Sequence, residues 1–114
     1  MKDNLRSEKR IPAKNLPKEL EEFFITPDEC NTEKVKTVDA SYNGFGFTTS
    51  IIPEKLPNGS HMKLYPLGIS NPLYARVIYK KKEGHITRVG VQLIKTEGYK
   101  NYLKKIKQIY KSSF

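Results

Sequence analysis

The chain reads as mainly β, a small antiparallel β-barrel closed by a C-terminal α-helix, and three observations carry that reading. Through the middle of the 114 residues, apolar side chains alternate with polar ones in several short runs. Turn signals punctuate those runs at Asn58-Gly59 and Glu83-Gly84. The period then changes at the end of the chain, where Tyr99, Tyr102, Leu103, Ile106, Ile109 and Tyr110 recur at helical spacing. Closing the strands into a barrel removes the exposed edges that would otherwise pair with other chains.

Residues 1–10 hold few apolar side chains and many charges, so they bury too little surface to offset their ordering entropy and should be flexible. Pro12 biases Ile11 toward extended geometry, so a barrel over residues 11–96 begins there. Leu16 to Ile25 fits a first strand entered through either a short helix or a turn, and both remain open. Val35 to Val38 is a strand leading into Asp39-Ala40-Ser41-Tyr42-Asn43-Gly44. After it, Phe45 and Phe47 alternate with Gly44, Gly46 and Thr48, which assigns the two rings to the core. Met62 to Tyr65 follows the Asn58-Gly59 turn, and Leu73, Ala75, Val77 and Tyr79 then alternate with Tyr74, Arg76, Ile78 and Lys80. Lys80-Lys81-Lys82 precedes Glu83-Gly84 and reads as a solvated hairpin tip, and beyond it Val89, Val91 and Leu93 share one face. Residues 97–111 should form a helix whose apolar stripe plugs the barrel, with its lysines on the other side.

The length suits one domain, residues 1–114, with one core. No apolar run approaches 18 residues and Met1 to Arg10 is charged throughout, so neither a membrane span nor a secretory signal is expected and the location should be cytoplasmic. Cys30 is the only cysteine, which excludes an intrachain disulfide and a cysteine-based zinc site. His61 and His85 are far apart with no ligand set around them, and Asp28 to Glu33 lacks the repeating pattern of a calcium loop. No nucleophile has a plausible base nearby. These observations describe a protein that is not an enzyme and holds no metal.

Two patterns carry chemistry. Arg6 to Arg10 reads R-x-x-x-R, and Asp39 to Gly44 reads D-x-S-x-x-G. The chain carries 17 lysines but only four arginines, so two arginines at this spacing are not ordinary surface charge. An arginine fork can grip phosphate bidentately and stack on a purine, which lysine cannot do. A carboxylate such as Asp39 accepts from the N1–H and N2–H edge of guanine, and the Ser41 hydroxyl donates or accepts beside it. Gly44 leaves room for close backbone approach. By chance alone D-x-S-x-x-G arises in roughly a few per cent of chains this long, so the order of the two patterns and their strand context add most of the specificity.

Together these residues resemble the PilZ family of bacterial receptors for cyclic dimeric GMP (c-di-GMP), over almost the whole chain. Arg10 runs into Ile11-Pro12, Ala75 to Tyr79 and Arg88 to Leu93 look like the family's late strands, and a lysine-rich helix ends the chain. The chain departs from the pattern in a longer acidic segment between Leu20 and Glu33, and in Tyr79 where many members carry tryptophan. The resemblance implies a six-stranded PilZ-like barrel and c-di-GMP as ligand. It further implies Arg6 and Arg10 on phosphates and a guanine face, Asp39 and Ser41 on a guanine edge, and Gly44 in the turn. Leu5, Lys9 and Asn43 are secondary candidates, and Leu5, ahead of the arginine pair, favours one ligand per chain. The partner it implies is an unidentified protein effector, engaged in motility, adhesion or biofilm regulation when the N-terminal segment becomes ordered. The net charge of +9 keeps a second reading open, a basic barrel acting on nucleic acid or as a ligand-independent adaptor. Nucleic acid is the less favoured partner, and would gain if Tyr42, Tyr65 and Tyr74 formed one exposed basic face.

Overall fold

The computed structural model describes residues 10–28, 31–51, 53–66 and 71–113. Its strands are β1 (Ile11–Pro12), β2 (Glu22–Asp28), β3 (Asn31–Ala40), β4 (Gly44–Thr49), β5 (His61–Pro66), β6 (Leu73–Glu83) and β7 (Ile86–Ile94), with helices α1 (Lys18–Glu21) and α2 (Glu97–Ser113). All pairings are antiparallel, in the order β1-β3-β2-β5-β6-β7-β4, and β4 returns to pair with β3. Six strands therefore close a barrel, as expected, and β1 is an extra two-residue strand. It continues the edge of β3 where β2 stops, with Ile11 opposite Ala40 and Pro12 opposite Asp39.

The stretch left open between strand and helix is both in turn. A 3-10 turn (Ala13–Asn15) and the short α1 precede β2, and Leu16 and Leu20 enter the core. The buried Thr37 hydroxyl donates to the Leu20 carbonyl at 2.5 Å, giving the end of α1 a partner for one of its orphaned carbonyls. Gly59 and Gly84 have φ of 88° and 65°, the left-handed region that tight turns require. The Gly84-His85 turn joins Glu83 to Ile86, so Lys80, Lys81 and Lys82 lie within β6 and not at the tip. Lys80 reaches back to donate to the Leu56 carbonyl at 3.0 Å.

Alternation builds the interior. Phe23, Phe45 and Phe47 are buried with ring centroids 5.3 and 5.7 Å from Phe23, and Val89, Val91 and Leu93 line the same core. Helix α2 supplies Tyr99, Tyr102 and Ile106, and the Tyr102 ring lies 5.1 Å from Phe45, so its apolar stripe is the plug that the spacing predicts. Gly98 lets the first turn of α2 press against the Pro72 carbonyl, where a Cβ would collide with backbone.

The register shifts at three places among the described strands, once between Ile25 and Asp28 on β2 and at two further β-bulges. One lies between Thr37 and Asp39 on β3, the other between Val77 and Tyr79 on β6. Each inserts an extra residue, so the side chain after it changes face. Tyr79, grouped by sequence with Leu73, Ala75 and Val77, is instead 46% exposed on the outer wall while those three are buried.

Candidate functional site

Arg10 is carried to the D-x-S-x-x-G segment by the pairing of β1 with the end of β3. Its guanidinium bridges the two acceptors of that segment: Nη1 donates to Ser41 Oγ and Nη2 to Asp39 Oδ1, both at 3.1 Å. Asp39 and Ser41 flank Ala40, which is fully buried, so the two acceptors fall on one side of the backbone. Arg10 and Asp39 are 35% and 21% exposed, so the ion pair is partly screened and contributes about 0.2–1 kcal/mol.

The turn is held from below. Ser41 N–H donates to the Gly44 carbonyl at 2.9 Å, and Leu93 N–H donates to the Asn43 carbonyl at 2.7 Å. Helix α2 adds two phenols: Tyr102 donates to the Ser41 carbonyl at 2.5 Å and Tyr99 to Asn43 Oδ1 at 3.1 Å. Asn43, a secondary ligand candidate, therefore has its amide oxygen engaged by the helix. A Cβ at Gly44 would lie 2.8 Å from the Val91 carbonyl, so the motif glycine answers a close approach of backbone to backbone.

Sequence reasoning missed Gly46 and Gly90. On the outer face, Asp39 pairs with Gly46, Gly46 with Gly90, and Gly90 with Tyr79, one row across four strands. A Cβ at Gly46 would lie 2.7 Å from Asp39 Oδ1, so this glycine makes room for the carboxylate. The signal available in sequence was glycine inside a strand pattern, which marks close approach of another group. Arg6, Leu5 and Lys9 lie outside the described residues. Of the predicted primary set the structure brings together Arg10, Asp39, Ser41 and Gly44.

Elsewhere, a surface depression of about 290 Å³ is lined by Ala13, Lys14, Glu21, Glu22, Lys36 and Thr37, where two lysines face two glutamates without convergent donors. Tyr65 and Tyr74 are exposed on the outer wall, with Lys63 Nζ 5.6 Å from the Tyr74 centroid, but Tyr42 packs against the core, so the three tyrosines do not form one face. Among the described residues no group of three His, Cys, Asp or Glu could hold a metal, and no helix is long and apolar enough to cross a membrane.

A closed six-stranded barrel with the arginine-bridged turn at its rim and a helix as plug is a PilZ-like domain. The solved structures similar to it include YcgR in complex with c-di-GMP from Escherichia coli, at 16% identity and a TM-score of 0.61, covering 92% of this chain and 44% of that one. The MrkH–c-di-GMP complex of K. pneumonia matches at 12% identity and 0.66, covering 92% and 49%. The PilZ domain with c-di-GMP of E. coli YcgR alone matches at 15% and 0.56, covering 93% and 92%. The chain thus spans less than half the length of the YcgR and MrkH chains in those two complexes. No protein-family model and no curated relative matches the sequence.

Proposed function

We propose that this chain is a non-enzymatic receptor for c-di-GMP. The observation that carries the reading is the Arg10 fork seated on Asp39 and Ser41, on a fold whose solved neighbours are described in complex with c-di-GMP. Arg10 presents one donor to Asp39 and one to Ser41, the two acceptors that a guanine edge would use, so the guanidinium occupies the position of the base until ligand displaces it. The freed fork, with Arg6, then takes phosphate and a guanine face. Leu5 adds no further donor, which favours one ligand per chain, and Lys9 adds charge nearby. Ordering of residues 1–10 over the barrel is the proposed signal to a protein effector.

Calorimetric titration with c-di-GMP tests the reading. Binding should weaken about ten- to a hundredfold in Arg10→Ala, from loss of a charge-assisted contact of about 1.5–3 kcal/mol. Cyclic dimeric AMP should bind much more weakly, because adenine places an acceptor where Asp39 needs a donor, and Asp39→Ala should narrow that difference. Hydrogen exchange in residues 1–10 should slow on binding. Absence of heat with the native chain rejects the receptor, whereas binding without altered exchange rejects only the ordering step.

A further inference from the structure

The outer wall centred on β5 carries half-exposed apolar side chains in a group. Phe24, Tyr65, Tyr74 and Ile94 are 42%, 38%, 37% and 38% exposed, and strand pairing sets them side by side. One row runs Lys34, Phe24, Tyr65 across β3, β2 and β5, and the next runs Thr26, Lys63, Tyr74, Ile94 across β2, β5, β6 and β7. Phe24 and Tyr65 stand directly opposite, roughly 5 Å apart at Cβ, and Tyr65 lies diagonally from Tyr74 at roughly 7–8 Å. Single apolar residues on a surface need no explanation, whereas a contiguous group with a polar surround marks a contact site. This wall is not the motif turn: in the closed ring of strands β5 is three steps from β4 in either direction, and Lys34 precedes Asp39 by roughly 17 Å along β3.

Cations are set among the rings. Lys63 lies opposite Tyr74, with Nζ 5.6 Å from that ring's centroid, two residues before Tyr65 on β5 and diagonal to Phe24. Arg76, in the next row, faces His61 and donates to Gln92 Oε1 at 2.6 Å. No carboxylate stands in these three rows, and Glu22, beyond Phe24 on β2, is already paired with Lys34 at 3.0 Å. Among the described residues no acidic side chain forms an ion pair with Lys63 or Arg76.

That arrangement selects the occupant. A second copy of the chain on this wall would set Lys34, Lys63 and Arg76 against their own counterparts, a like-charge juxtaposition that costs several-fold more than rim charges gain. Protein interfaces deplete charge, lysine above all, from their centres, and here a lysine sits amid three rings. A single nucleic-acid strand satisfies both features, its bases stacking on aromatic rings while its phosphates meet the cations between them. We infer that the outer wall of β2, β5 and β6 binds single-stranded nucleic acid, with bases on Phe24, Tyr65 and Tyr74 and phosphates facing Lys63, Lys34 and Arg76. Tyr65 and Tyr74 thus form an aromatic basic face with Phe24 in the place that the sequence offered to Tyr42. The inference does not depend on the receptor reading.

An oligothymidylate of about 15 nucleotides, titrated into the full chain at low salt, tests it. The oligomer should bind more tightly than an abasic oligomer of the same length, which carries phosphates without bases. Leucine keeps apolar cover but offers no π face, so Phe24→Leu and Tyr74→Leu should each weaken binding about five- to a hundredfold. In the native chain the ring protons of Phe24, Tyr65 and Tyr74 should move upfield in NMR spectra on binding, which rings serving only as cross-strand pairs would not show. Lys63→Gln should reduce the slope of log affinity against log salt by about 0.7. Equal binding of the abasic oligomer, unmoved ring protons or native affinity in both leucine variants overturns the inference and leaves only the unspecific attraction of a chain of net charge +9. Polyglutamate that moves the same ring protons where the oligonucleotide does not assigns the wall to an acidic protein, and overturns it as well. If a leucine variant fails to fold, the native-chain spectra and Lys63→Gln decide. Failure on any of these counts leaves c-di-GMP binding untouched, and absence of c-di-GMP binding leaves this inference standing.

Discussion

Strands β4 and β7 show two opposite faces of one backbone. Inward they carry Phe45, Phe47, Val89 and Val91, all buried, with Phe23 and Tyr102 packed on the rings. Outward they carry Gly44, Gly46 and Gly90, paired or adjacent across the same two strands. The inner face is filled at interior density, where each lost atom leaves a void. On the outer face the missing side chains are what admit Asp39, the Val91 carbonyl and Tyr79 at close range. Stability and the proposed recognition thereby fall on different sides of the same strands, and substitutions should separate them.

The largest expected effect is on the inner face. Phe45→Ala removes a ring in contact with both Phe23 and Tyr102 and should cost about 3–5 kcal/mol in denaturant unfolding. A loss below about 1 kcal/mol would mean that the barrel interior is not where the stability resides. On the outer face, Gly44→Ala drives a Cβ to 2.8 Å from a backbone carbonyl that cannot turn aside, so a cost of about 1–3 kcal/mol is expected. Gly46→Ala meets a carboxylate oxygen instead, at 2.7 Å, and that side chain can swing. Its melting temperature should therefore move less than that of Gly44→Ala while c-di-GMP binding falls, because Asp39 is displaced. Equal losses of stability in the two variants would break the distinction.

Tyr102→Phe bridges the two faces. It keeps the ring on Phe45 but leaves the Ser41 carbonyl without its phenol donor, at an expected cost of about 1–2 kcal/mol. If the outer turn depends on α2, ligand affinity should fall as well, and unchanged affinity would show that the turn holds itself. The smallest change in stability is expected from Arg10→Ala, within about 1 kcal/mol because the ion pair is partly exposed. A much larger loss would make Arg10 a structural clamp first and a ligand residue second.

Much of this was legible in the chain. The alternation around Phe45 and Phe47, the shared face of Val89, Val91 and Leu93, and the helical stripe of Tyr99, Tyr102 and Ile106 all lie where local periodicity places them. Asp39, Ser41 and Gly44 were legible as a motif, and Arg10 joins them. The lysines of β6 were misplaced at a turn because a charge run next to glycine looks the same in either setting. The role of Gly46 was hidden because its reason is a carboxylate seven residues away, brought near by a strand pairing.

The sequence by itself determined the strands around Phe45, Leu73 and Val89, the turns at Gly59 and Gly84, which rings are apolar enough to be interior, and which residue types are candidates to hold an anionic purine. These depend on side-chain period and composition over a few neighbours, which any short window contains. Only the tertiary structure decided the faces of Asp39 and Tyr79. Strict alternation from Val35 and Leu73 points both inward, and one extra residue in each strand turns both outward. A bulge is set by the partner strand against which residues are counted, and that partner is distant in the chain. The same holds for Arg10, which meets Asp39 and Ser41 because the two-residue β1 finds the edge of β3, a contact 29 to 31 residues long that no local pattern contains.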